Sequence, residues 1–66
     1  MNISNIIKEL RIEKGISQAE LAKQIKVSQK AIDYWERGVN EPKASYIIAL
    51  ADFFDVTADF LLGRKD

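Results

Sequence analysis

Residues 16–38 read ISQAELAKQIKVSQKAIDYWERG, and this stretch decides the fold. Ser17-Gln18-Ala19-Glu20 is a capping box: the Ser17 hydroxyl and the Glu20 carboxylate each satisfy a backbone N–H that a first helical turn leaves unpaired. Ile16 before the cap and Leu21 after it have the spacing of a hydrophobic staple. Leu21, Ala22 and Ile25 continue the buried face. A helix of two turns is too short to stand alone, so tertiary packing must hold it. Lys26-Val27-Ser28 separates it from the next helix, which Ser28 caps and Val27 staples to Ile32. That helix covers about Gln29 to Glu36 and ends at Arg37-Gly38.

Working outward, helical periodicity continues in both directions, and no alternating strand pattern competes with it. A first helix is expected from about Asn2 to Lys14, with Ile3, Ile6, Ile7 and Leu10 on one stripe and Gly15 ending it. Pro42 breaks the chain after Gly38, and Asn40, Glu41 and Pro42 form a loop. A fourth helix follows over about Ala44 to Phe54. Its inner face is Ile47, Leu50, Ala51 and Phe54, with Tyr46 and Phe53 at the margin. Thr57 caps a last short helix, Ala58 to Leu62, which Gly63 ends; Arg64-Lys65-Asp66 is expected to fray. The expectation is one all-α domain over residues 1–66, built from five helices.

Composition narrows the function. The 66 residues include ten basic and ten acidic side chains, no His and no Cys. No disulfide or Cys/His zinc site can form, and neither thiol nor imidazole is available for catalysis near neutral pH. There is no glycine-rich phosphate loop and no metal-ligand cluster, so an enzyme is not expected. Carboxylates four apart, such as Glu9 and Glu13, read as a solvated helix face. No cofactor, metal or small-molecule ligand is expected. The longest apolar run, Tyr46 to Ala51, is far short of a membrane span, and Lys8 and Glu9 interrupt the place a signal peptide needs its apolar stretch. The expected location is the cytoplasm, on the nucleoid. The neutral total hides a split: residues 1–33 hold six basic and four acidic side chains, and residues 34–66 the reverse. The first half can face an anionic partner.

Two short helices joined by a three-residue turn have the spacing of a helix-turn-helix, here at about residues 17–36. On a helical wheel the third helix divides cleanly. Ala31, Ile32 and Trp35 form an apolar sector, and Gln29, Lys30, Asp33 and Tyr34 lie opposite within about 140° of arc. These four side-chain types suit a DNA major groove. A Gln amide matches adenine N6/N7, a Lys reaches guanine O6/N7, and a carboxylate accepts from cytosine N4. Tyr34 suits a phosphate or a thymine methyl. The start of the second helix, with Gln18 beside its free amides, suits a phosphate.

The residues Ile16 to Ala22, Val27-Ser28-Gln29, Ala31-Ile32 and Trp35 to Gly38 together resemble the Cro/phage-repressor (XRE) helix-turn-helix family. Pro42, Leu50-Ala51 and Ala58 to Gly63 extend the resemblance to roughly residues 5–63. It implies a compact, lambda-repressor-like five-helix domain that binds operator DNA as a two-fold dimer. It implies base-edge roles for Gln29, Lys30, Asp33 and Tyr34, and phosphate roles for Gln18, Ser28, Arg37, Asn40 and Lys43. It implies a structural salt bridge between Arg11 and Glu36, with Trp35 in the core. Phe53, Phe60 and Leu62 are candidate dimer-interface residues, although the same side chains could close the monomer's own core. Four positions depart from the family pattern. Lys26 stands at a turn often held by Gly, where a left-handed conformation costs about 1–2 kcal/mol. Asp55 replaces another common Gly, Lys43 a polar N-cap, and Val39 a basic residue.

The function expected is a sequence-specific double-stranded DNA-binding regulator, a repressor, acting as a homodimer on an approximately palindromic operator with half-sites about 10 bp apart. No second sensing or cleavage domain is expected within these 66 residues. The competing expectation is a protein-interaction module, or an antitoxin that binds both DNA and a toxin, on the same fold. The neutral charge and the acids Asp52, Asp55 and Asp59 motivate it.

Overall fold

Caps and apolar stripes set five helices among the residues described by the computed structural model, 3–64. They are α1 (Ile3–Lys14), α2 (Gln18–Ile25), α3 (Gln29–Arg37), α4 (Ala44–Phe54) and α5 (Ala58–Leu61). No strand occurs among these residues. The helix start expected at Asn2 and the fraying expected at Lys65 and Asp66 lie outside the described residues. Two ends differ from expectation by one residue. α3 runs on to Arg37 because Gly38 at φ +76° supplies the left-handed cap. α5 stops at Leu61, Leu62 becomes its cap, and Gly63 takes the positive φ. Arg64 is tied rather than loose: its N–H donates to the Asp59 carbonyl at 2.9 Å.

Each helix sends one fully buried side chain inward: Ile7, Leu21, Ile32, Leu50 and Leu61. Ile3, Ile6, Ala22, Ile25, Trp35 and Ala51 complete the buried cluster. Each large apolar side chain removed from water contributes about 1.5–3 kcal/mol. The staple residues Ile16 and Val27 pack against this cluster from the loops, as their spacing requires. The Trp35 ring lies 5.5 Å from that of Tyr46, joining α3 to α4.

The caps show which sequence signals act. Ser17 Oγ accepts the Glu20 N–H at 3.0 Å, Ser28 Oγ the Ala31 N–H at 3.1 Å, and Thr57 Oγ1 the Phe60 N–H at 3.0 Å. The capping box is half-formed: the Glu20 carboxylate accepts from Gln24 Nε2 at 2.9 Å instead of reaching back. Lys43 makes no side-chain cap bond, as its chemistry dictates. Lys26 (φ 64°) and Asp55 (φ 58°) both sit in the left-handed region. Lys26 is held there because its N–H and that of Val27 both reach the Ala22 carbonyl.

Lys26→Gly removes that conformational cost but adds freedom to the unfolded chain. It is expected to raise stability by roughly 0.5–1 kcal/mol. Urea unfolding checks this; a lowered midpoint means the Lys26 side chain contributes more than its backbone costs.

Candidate nucleic-acid interface

The interface begins at a buried carboxylate. Arg11 Nε donates to Glu36 Oε2 at 2.6 Å and Arg11 Nη2 to Oε1 at 3.1 Å. Arg11 Nη1 donates to the Ile16 carbonyl at 2.9 Å, and Gln18 Nε2 to Glu36 Oε1 at 3.1 Å. One charge pair therefore ties α1, the α1–α2 turn, α2 and α3. The Glu36 side chain is 3% exposed and that of Arg11 13%. The hydrogen bond to Glu36 holds the Arg11 guanidinium above its ordinary pKa, opposed by burial and aided by the carboxylate's charge.

This node sets how α2 and α3 cross, and so where their outer faces point. On α3, Ile32 and Trp35 are buried and Ala31 is half-buried against the core. Gln29 and Lys30 are exposed; Asp33 and Tyr34 are half-buried. All four share the outward face. Ser28 uses a hydroxyl lone pair on its cap and keeps its O–H hydrogen as a donor. Asn40 and Lys43 are exposed on the loop that follows α3.

Two residues expected on phosphates have partners within the protein. Gln18 spends one amide N–H on Glu36 and keeps a second N–H and its carbonyl. Arg37 Nε and Nη2 both lie 3.0 Å from Asp33 Oδ2, an i,i+4 pair in the favourable order. The Arg37 guanidinium carbon is also 5.6 Å from the centre of the Tyr34 ring, and Lys30 Nζ is 5.6 Å from that centre. The four-residue and three-residue spacings of these side chains are visible in the sequence, but spacing alone does not fix which partner each long side chain takes.

The proposed dimer residues separate. Phe60 and Leu62 are exposed. Phe53 is half-buried, packed edge-on to Phe54 with Lys14 Nζ 5.2 Å from its ring. A groove of about 360 Å³ between α1 and α5 is lined by Ile6, Leu10 and Phe60, with Glu9, Glu13 and Arg64 beside them.

A short turn joins two capped helices, and the second of them carries an outward polar face. A family model described as Helix-turn-helix matches residues 7–61. The chain belongs to the helix-turn-helix family. This helix-turn-helix chain is 35% identical over all 66 of its residues to the HTH-type transcriptional activator BcrR of Enterococcus faecalis, covering 32% of that protein. It is 38% identical over 56 residues to Repressor protein C2 of Salmonella phage P22, covering 85% of this chain and 26% of the repressor. The chain thus spans about a third or less of these two relatives. The crystal structure of the P22 c2 repressor with synthetic operator 9T superposes with a TM-score of 0.92 at 32% identity, covering 98% of both chains. The helix-turn-helix chain is all-α, like these neighbours. No helix among its described residues is long and apolar enough to cross a membrane.

Glu36→Ala leaves the Arg11 guanidinium enclosed without its carboxylate. A loss of about 3 kcal/mol of stability is expected, read by denaturant unfolding without DNA. A loss under about 1 kcal/mol would mean that water replaces the carboxylate.

Proposed function

We propose that this chain is a sequence-specific double-stranded DNA-binding transcriptional regulator, a repressor, and that it binds without catalysing a reaction. The observation that carries this is the α3 face: Gln29, Lys30, Asp33 and Tyr34 project together from a helix seated on Ile32 and Trp35. α3 enters the major groove and α2 crosses the backbone. Gln29 reads adenine, Lys30 guanine and Asp33 cytosine, while Tyr34 contacts a thymine methyl or a phosphate. Gln18, Ser28, Arg37, Asn40 and Lys43 hold phosphates on either side. The P22 c2 repressor solved with an operator supports this pose.

The chain acts as one domain and as a homodimer on an approximate palindrome, in the cytoplasm on the nucleoid. Phe60 and Leu62, exposed by 50% and 46%, give the α5 side an apolar surface suited to that contact. Phe53 takes part at the edge. The same apolar surface favours a second reading, a protein-interaction module or an antitoxin. A module of that kind leaves duplex DNA unretarded at about 50 mM salt, where nonspecific binding by basic surfaces is strong.

In vitro selection from random duplex DNA tests the main reading. A palindromic motif is expected, and no enrichment would overturn it. On the selected operator, Gln29→Ala weakens binding by about 1–3 kcal/mol and relaxes one base position. An equal loss on all sequences would remove Gln29 from the base readers. Lys43→Ala weakens all sequences alike and flattens the salt dependence by about one unit; an unchanged slope would remove Lys43 from the phosphate set.

A further inference from the structure

The ion pair on α3 joins two residues with different tasks. Asp33 faces bases, and Arg37 faces the phosphate backbone. While its Nε and Nη2 lie 3.0 Å from Asp33 Oδ2, Arg37 keeps three other N–H groups, but it meets a phosphate as half of a neutral pair rather than as a free cation. Resting on the DNA-binding reading above, we propose that the Asp33–Arg37 pair is an exchange latch. It stays closed on DNA that offers Asp33 no amino group. It opens where a cytosine N4 meets the Asp33 carboxylate, and so releases Arg37 to a phosphate oxygen.

The physical case begins with exposure. The Arg37 and Asp33 side chains are 57% and 37% exposed, so in water the pair is weak and opens freely. Docking α3 in a groove expels that water and lowers the local dielectric, which strengthens the pair. A dehydrated carboxylate stripped of its cation is strongly unfavourable. Opposite the ring nitrogens and carbonyl oxygens of A, G and T, Asp33 meets acceptors, and the adenine amino group is the one exception besides cytosine N4. Facing acceptors, Asp33 keeps Arg37. A cytosine amino group supplies the missing N–H, and the guanidinium can leave.

The surroundings fit a movable arginine. Its guanidinium carbon rests 5.6 Å from the Tyr34 ring centre, and the Lys30 ammonium lies at the same distance from that ring. When Arg37 departs, Lys30 retains the ring contact. The closed state presents a neutral pair to the DNA; the open state presents a cation. The two states therefore differ by one phosphate neutralised per subunit, and counterion release reports which is populated.

The test begins with selection by the wild-type protein and by Asp33→Asn. The position whose cytosine preference disappears in the variant marks the Asp33 contact. Binding is then measured, by fluorescence anisotropy with the full chain, to the selected operator and to a duplex with thymine at that position. Over about 50–200 mM salt, the wild-type slope of log K against log salt is expected to be about 0.9 units steeper per half-site on the operator, a further three- to fourfold loss of affinity. Asp33→Asn frees Arg37 on both duplexes, so both slopes match the steep one. Arg37→Ala makes both shallow. Both substitutions lie on the outer face of α3, and circular dichroism confirms that each variant is folded.

Equal wild-type slopes on the two duplexes overturn the latch, as does a slope difference that survives Asp33→Asn. So does a selection in which Asp33→Asn changes no base preference. In each of those results a motif is still enriched and the DNA-binding reading stands. Enrichment of no motif by the wild type removes that reading, and the latch falls with it.

Discussion

The Glu36 carboxylate is the point on which the rest of the structure depends. It lies on α3, yet its hydrogen bonds go to Arg11 of α1 and Gln18 of α2, and Arg11 passes on to the Ile16 carbonyl. Apolar packing is non-directional, so Leu21, Ile32 and Ile7 could meet at several helix crossing angles. A buried carboxylate is not so tolerant, because each unsatisfied lone pair is penalised. Three donors arriving from two helices therefore select one crossing of α2 and α3. That crossing is what turns two amphipathic helices into a surface with a defined outer face.

Much of the fold was legible because its signals are local. The hydroxyls of Ser17, Ser28 and Thr57 each found the N–H three residues on, as the capping rule requires. Lys26 and Asp55 adopt the left-handed conformation in spite of their side chains, since the following residues must turn back to pack. The outward polar face of α3 followed from the wheel, because the core must take Ile32 and Trp35. What the sequence hid is partner choice among long polar side chains. Glu20 had a capping role open to it and took Gln24 instead. Gln18 was expected to face a phosphate and gave one N–H to Glu36. Arg37 closed on Asp33. Such choices depend on rotamers and on competition within a few ångströms, neither of which periodicity records.

Charge is arranged to match. A chain with ten basic and ten acidic side chains has little long-range pull on a polyanion. α3 carries an acid, Asp33, on the outward face proposed to meet DNA, and an acid there would lower indiscriminate affinity for a polyanion. Pairing that acid with Arg37 keeps the face from repelling phosphate outright. On the proposed DNA-binding reading, affinity would come from complementarity at close range, where a correct base supplies hydrogen bonds and a wrong one leaves polar groups unpaired.

The alternation along α5 has a consequence of its own. Phe60 faces water, Leu61 is wholly enclosed, and Leu62 faces water again. Four residues cannot sustain a helix unaided, so this turn exists only while Leu61 stays docked. Whatever covers Phe60 and Leu62 must therefore grip the two neighbours of a keystone. Occupancy of the outside and integrity of the inside become one equilibrium, and a bound companion there will register as resistance of the whole protein to heat.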